Sequence, residues 1–218
     1  MSHEVTVRSG WFSQEEFNQY CSSSFVDPIA RLLLTSDGSV TSNLRALFLL
    51  PIELEVRDQG ESEAGRDLAD YLEIDPTEKV INRSVWLKTM EKRLVYASSN
   101  LPASRIDARL YRELKEMKRP IGLLLGEYNI PVYKDLLAIG RVESKGVASD
   151  LGLDKETLFW ARHYRLNMDG GARISITEVF SPLVFDSSID NSSPDGPKNI
   201  GQRGAERQLR LNRKTHGG

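Results

Sequence analysis

Segments 52–57, 79–88, 93–100, 135–142, 157–168 and 173–180 read as β-strands, and together they constrain what this chain can fold into. Apolar residues recur at alternate positions through them, with Val, Ile, Trp and Tyr prominent, as a pleated strand with one buried face requires. Asp169-Gly170-Gly171 joins the last two with a strong hairpin signal, and a short polar turn joins 79–88 to 93–100. Antiparallel pairing is the natural outcome.

The remaining pattern is helical. Segments 25–34 and 41–50 read as two short helices around the turn Thr35-Ser36-Asp37-Gly38, with Ser39 or Thr41 able to cap the second. Segment 63–72 is a polar connector with room for a helix. Segment 104–118 is amphipathic, with Ile106, Leu110, Leu114 and Met117 on one stripe. Pro120 then opens a further short helix at the position that suits proline, with Ile121-Gly122-Leu123-Leu124-Leu125 behind it. There are no internal repeats. The expected fold is α+β, an antiparallel sheet with helices packed on one face.

A chain of 218 residues suits one domain with terminal slack. We place the domain at 25–185, an N-terminal extension at 1–24 and a basic tail at 186–218. Within 191–218 two acids, Asp195 and Glu206, meet six bases, and apolar anchors are few, so a disordered extension is expected. Lys and Arg number 29 against 31 Asp and Glu, a net charge of −2, so no whole-chain attraction to nucleic acid is expected. A lone cysteine, Cys21, excludes an internal disulfide and a multi-cysteine zinc site. No apolar run is long enough to span a bilayer, and the first residues do not form a signal peptide. The expectation is a cytoplasmic monomer with no membrane partner.

Strand periodicity also singles out two charges. Ile174, Ile176, Glu178 and Phe180 share one face, and so do Ile81, Arg83, Val85 and Leu87. Glu178 and Arg83 therefore stand where apolar residues belong. One explanation is an Arg83–Glu178 ion pair bracing the core, although such pairs are poor stability devices. The other is that both line a cavity and meet a polar ligand. The helix starts at Pro120-Ile121-Gly122 and at 38–41 would add free backbone N–H groups, which favour an anion.

In order and spacing these landmarks resemble the chorismate pyruvate-lyase family. The resemblance rests on Leu32-Leu33-Leu34-Thr35-Ser36-Asp37-Gly38-Ser39-Val40-Thr41, Arg83, Pro120-Ile121-Gly122 and Ile139-Gly140-Arg141. It rests most on the final hairpin, Trp160-Ala161-Arg162-His163-Tyr164-Arg165-Leu166, Gly170-Gly171 and Ile176-Thr177-Glu178-Val179-Phe180-Ser181-Pro182. It covers roughly 25–182 and looks closer to the archaeal, mycobacterial and cyanobacterial branch than to the proteobacterial ubiquinone enzyme.

The resemblance implies a single-domain lyase that eliminates pyruvate from chorismate, leaving 4-hydroxybenzoate, with no metal or organic cofactor. It puts the family's arginine on Arg83 and its glutamate on Glu178, with backbone amides at Val40 and Ile121 helping to hold the product carboxylate. A second arginine for the enolpyruvyl carboxylate would come from Arg141, Arg162 or Arg165. Arg162 and Arg165 lie on opposite strand faces, so at most one points inward. His163 and Cys21 read as packing or surface residues. Two rival readings share the fold: a non-catalytic effector-binding domain like that of GntR-type regulators, and a lyase giving 3-hydroxybenzoate. The regulators carry a winged-helix domain ahead of this fold, for which the segment before residue 25 is expected to be too short.

Overall fold

A computed structural model of the chain describes residues 3–185 except 91, 117, 118 and 170. The basic segment 191–218, Met117 and Gly170 therefore lie outside the described residues.

The elements run β1 (Thr6–Phe12), α1 (Gln14–Ser23), α2 (Pro28–Thr35), α3 (Val40–Phe48), β2 (Glu53–Glu63), α4 (Gly65–Leu72), β3 (Lys79–Thr89) and β4 (Lys92–Pro102). They continue α5 (Ala108–Lys115), α6 (Ile121–Glu127), β5 (Val132–Glu143), α7 (Lys145–Leu151), β6 (Phe159–Met168) and β7 (Arg173–Phe180), ending in a 3-10 turn at Pro182–Val184. The strands form one sheet in the order β1-β5-β6-β7-β4-β3-β2, and each neighbouring pair is antiparallel. The α+β class expected from the alternation holds.

The helices lie on both faces rather than one. On β6, Tyr164, Leu166 and Met168 join the apolar cluster that α5 and α6 cover through Leu110, Leu114, Leu124 and Leu125. Phe159 and Ala161, on the opposite face by alternation, pack with Trp86, Tyr96, Val179 and α7's Val147 and Ala148. The sheet is thus buried on two sides. This is why the central strands β6 and β7 are rich in buried residues throughout, not merely at alternate positions.

Both edges depart from the sequence expectation. Residues 6–12, assigned to an extension, pair with β5 through Thr6↔Glu143 to Phe12↔Ile139. β2 runs on to Glu63 through Arg57-Asp58-Gln59-Gly60-Glu61, a stretch too polar to read as strand. Edge strands tolerate, and profit from, such charge because it discourages pairing with another chain. A Ser13–Glu16 capping box starts α1.

Helix caps separate two groups. Asp27, Asp107 and Ser144 each accept backbone N–H groups at the starts of α2, α5 and α7. At α3 the N-cap Ser39 makes no side-chain cap bond, contrary to expectation, and at α6 the N-cap is Pro120, which has none to offer. The first N–H groups of α3 and α6 are left without side-chain caps. These two starts are packed together: a Cβ added at Gly122 would meet Ser39 Oγ at 2.6 Å.

Candidate functional site

Between these two helix starts and the first face of the sheet lies a cavity of about 230 Å³. Val40, Arg83, Ile121 and Glu178 all line it. β3 contributes Arg83, Val85 and Leu87, β4 Ala97 and Ser99, and β7 Ile176 and Glu178, so the walls are mostly apolar. An apolar cavity of about 150 Å³ accepts benzene, so this one has room for a substituted six-membered ring.

Arg83 and Glu178 do not pair. Glu178, 2% exposed, receives Arg162 Nε at 2.5 Å and the Tyr164 hydroxyl at 3.0 Å. Arg162 is wholly buried, and its Nη1 donates to the carbonyls of Leu33 at 2.6 Å and Ser36 at 2.9 Å. Its guanidinium lies 5.2 Å from the Tyr164 ring centroid and 5.9 Å from that of Phe180. Burial alone would lower the Arg162 pKa, but Glu178 beside it leaves it raised. Burial, then Glu178, hold the Tyr164 phenol well above its ordinary value, so it stays a donor.

Arg83 is 4% exposed and differently served. One Nη2 hydrogen bond reaches the Arg119 carbonyl at 3.1 Å, and its buried Nε has no partner. Among the described residues no carboxylate forms an ion pair with it. Burial pushes its pKa down to about 10, which still leaves it charged at neutral pH.

A second cation enters from β5. Lys134 lines the cavity and donates to the carbonyls of Ser36 and Gly38, both at 2.9 Å. Its ammonium stands 4.6 Å from the Tyr164 ring centroid, and burial, helped by Arg162, pushes its pKa down to about 8.

Of the three arginines proposed to meet a second carboxylate, only Arg162 lies on the cavity's side near Glu178, and it serves Glu178 instead. Arg165 faces the other way, held by Asp135 and Glu73. Arg141 stacks on Trp160 beside a different surface pocket. His163 bonds Thr177 at 2.8 Å on the far face, and burial lowers its pKa. Among the described residues no three of His, Cys, Asp and Glu gather to share a metal ion, and no helix is long and apolar enough to cross a membrane.

Sequence reasoning missed Tyr164, Lys134 and the duty of Arg162. The signal for Arg162 was the turn itself: counting back from Gly170 sets 162 opposite 178, and the structure pairs them. Tyr164 follows as the neighbour two residues along.

A family model described as chorismate pyruvate-lyase Rv2949c-like matches residues 34–187. A curated relative, the uncharacterized protein ycf21 of Cyanophora paradoxa, is 26% identical over 176 residues, 80% of this chain and 88% of its own length. Among solved structures, PhnF from Mycobacterium smegmatis matches with a TM-score of 0.57 at 18% identity, over 70% of this chain and 67% of that one. The effector domain of the same PhnF gives 0.54 at 20% identity, over 66% and 88%. The C-terminal domain of the histidine utilization repressor from Pseudomonas syringae gives 0.52 at 10% identity, over 62% and 94%. At such identities these structures show a shared fold.

Proposed function

This chain belongs to the Rv2949c-like chorismate pyruvate-lyase family, and we propose that it eliminates pyruvate from chorismate to give 4-hydroxybenzoate. One observation carries the reading. Among the described residues Arg83 is a buried charge with no carboxylate partner, on a cavity whose buried acid, Glu178, is already satisfied. Buried charges are ordinarily paired, because leaving one unpaired is costly. A ligand carboxylate is the partner this position lacks.

Chorismate supplies it. The ring carboxylate meets the Arg83 guanidinium, whose planar fork suits two parallel hydrogen bonds, and the Val40 and Ile121 N–H groups support the same end. The 4-hydroxyl then meets Glu178, held in place by Arg162 and Tyr164. Breaking the C3–O ether bond releases enolpyruvate, and loss of the C4 proton sends that electron pair into the ring, which becomes aromatic. Glu178 is the group placed to accept that proton. The enol takes a proton at its methylene carbon and becomes pyruvate. Because aromatisation supplies the driving force, the protein's part is to orient the substrate, exclude water and hold one proton acceptor.

The test is incubation with chorismate, with and without EDTA. We expect pyruvate and 4-hydroxybenzoate in equal amounts, unaffected by the chelator. Chromatography separates the 3-hydroxy isomer, whose appearance would replace the proposed product. PhnF carries this fold as an effector domain, so tight binding of 4-hydroxybenzoate with chorismate left intact would favour a binding module and overturn the lyase reading.

A further inference from the structure

Resting on the reading of this cavity as a chorismate site, we propose that Lys134 recognises the substrate's second carboxylate, making the site selective for a dicarboxylate that spans Arg83 and Lys134. These are the two cations that line the cavity among the described residues.

Three observations carry the assignment. First, Lys134 is pinned: an ammonium has three N–H donors, and two are committed to the carbonyls of Ser36 and Gly38. The third is left for a ligand, from an amine whose position is already fixed. Second, among the described residues no carboxylate makes an ion pair with Lys134. Asp37 and Glu178 act on its charge only through space, and too weakly to offset burial and Arg162. An arriving carboxylate would relieve that setting, as it would at Arg83. Third, the arginines that could compete are occupied elsewhere. Arg162 does not line the cavity and commits Nε to Glu178 and Nη1 to the Leu33 and Ser36 carbonyls, leaving only its buried Nη2 without a partner; Arg165 is held on the opposite face, and Arg141 lies beside Trp160.

Lys134 reaches the cavity because of an irregularity in β5. The strand pairs Lys134 with Leu166, but its register shifts between Asp135 and Ala138, where Leu136 adopts a φ of 51°. Up to the bulge, the strand presents Lys134 on the same face as Leu166, which also lines the cavity.

The test compares two ligands by calorimetry. One is 4-hydroxybenzoate, with a single carboxylate. The other is 3-(carboxymethoxy)-4-hydroxybenzoate, which adds an acid where chorismate carries its enolpyruvyl group. The proteins are the wild type, Lys134→Met and Lys134→Gln, the last keeping donors for the two carbonyls while removing the charge. We expect the wild type to prefer the dicarboxylate. Both variants should lose about 10- to 100-fold of that affinity, the range of one charge-assisted hydrogen bond. Their affinity for 4-hydroxybenzoate should stay within about two-fold of wild type. Equal losses for both ligands would mean Lys134 only shapes the 36–38 turn, and would overturn the proposal. So would a wild type with no preference, or one that binds neither ligand. A wild type that prefers the dicarboxylate, loses the preference in both variants and yet leaves chorismate intact would uphold Lys134 while sinking the lyase reading.

Discussion

Glu178 and Arg83 are both charges on apolar strand faces, both nearly inaccessible, and both on one cavity, yet the protein treats them oppositely. Glu178 is fully provided for, with Arg162 on one oxygen and Tyr164 on the other. Arg83 keeps an unpartnered Nε and one backbone acceptor. On the proposed reading, the contrast separates a carboxylate complete before ligand arrives from a cation that a ligand completes. A general acid–base group needs a fixed geometry; an anion receptor needs unspent donors.

The largest effect should come from breaking the complete carboxylate's support. Arg162→Met would leave the Glu178 carboxylate buried beside a lone hydroxyl, remove the Leu33 carbonyl's Arg162 donor and leave the Ser36 carbonyl with Lys134 alone. We expect a loss of about 3–5 kcal/mol in denaturant unfolding. A loss below about 1 kcal/mol would mean that Glu178 is not held by Arg162, and the contrast would dissolve.

Glu178→Gln sharpens the same comparison without emptying the position. Shape and a hydrogen-bonding group remain, so 4-hydroxybenzoate affinity should change little. Turnover should fall by roughly 10²–10⁴, the usual contribution of a positioned proton acceptor. Parallel losses in both would reduce Glu178 to a binding group.

The alternation rule made Arg83 and Glu178 legible from the sequence because each interrupts an otherwise apolar stripe in a regular strand. The Val40 and Ile121 positions were legible as helix starts, from the Ser-Asp-Gly turn and from Pro120. Lys134 was hidden by the β5 bulge, since a period-two reading fails wherever a register shift intervenes. β1 and the outer half of β2 were hidden for another reason: an edge strand can be polar along much of its length, so it carries little hydrophobic signature. Of the helices, α4 was legible as a polar connector with room for a helix, whereas α7 was hidden because it is short and the residues it covers read as ordinary strand alternation.

A smaller effect is expected from pH at Lys134. In the free protein Lys134 is pushed down to about 8, with Arg162, Glu178, Asp37 and the Tyr164 ring around it and Arg83 on the same cavity. The preference for a dicarboxylate over 4-hydroxybenzoate should be full below that value and fade as pH rises through and above it. Arg83, pushed down only to about 10, should hold the monocarboxylate through the same window. Calorimetry from pH 7 to 9.5 would read this; a flat preference would assign the selectivity to another group.

The smallest effect should follow Gly122→Ala. A Cβ there meets Ser39 Oγ, a side chain that can rotate away, and alanine favours the helix. Stability should move by less than about 1 kcal/mol, while 4-hydroxybenzoate affinity weakens modestly as the two helix starts are eased apart. Unchanged affinity would remove the Val40 and Ile121 N–H groups from the carboxylate end.

The central claim, that Arg83 is an unpaired buried charge held for a ligand carboxylate, is tested most directly by thermal unfolding of Arg83→Met beside the wild type, each with and without 4-hydroxybenzoate. The account predicts that the ligand-free variant melts at the same temperature as the wild type or higher, because an uncompensated charge has been removed. It further predicts that the ligand raises the melting temperature of the wild type alone. A ligand-free variant that melts several degrees lower, or one that the ligand stabilises as much as the wild type, would contradict it.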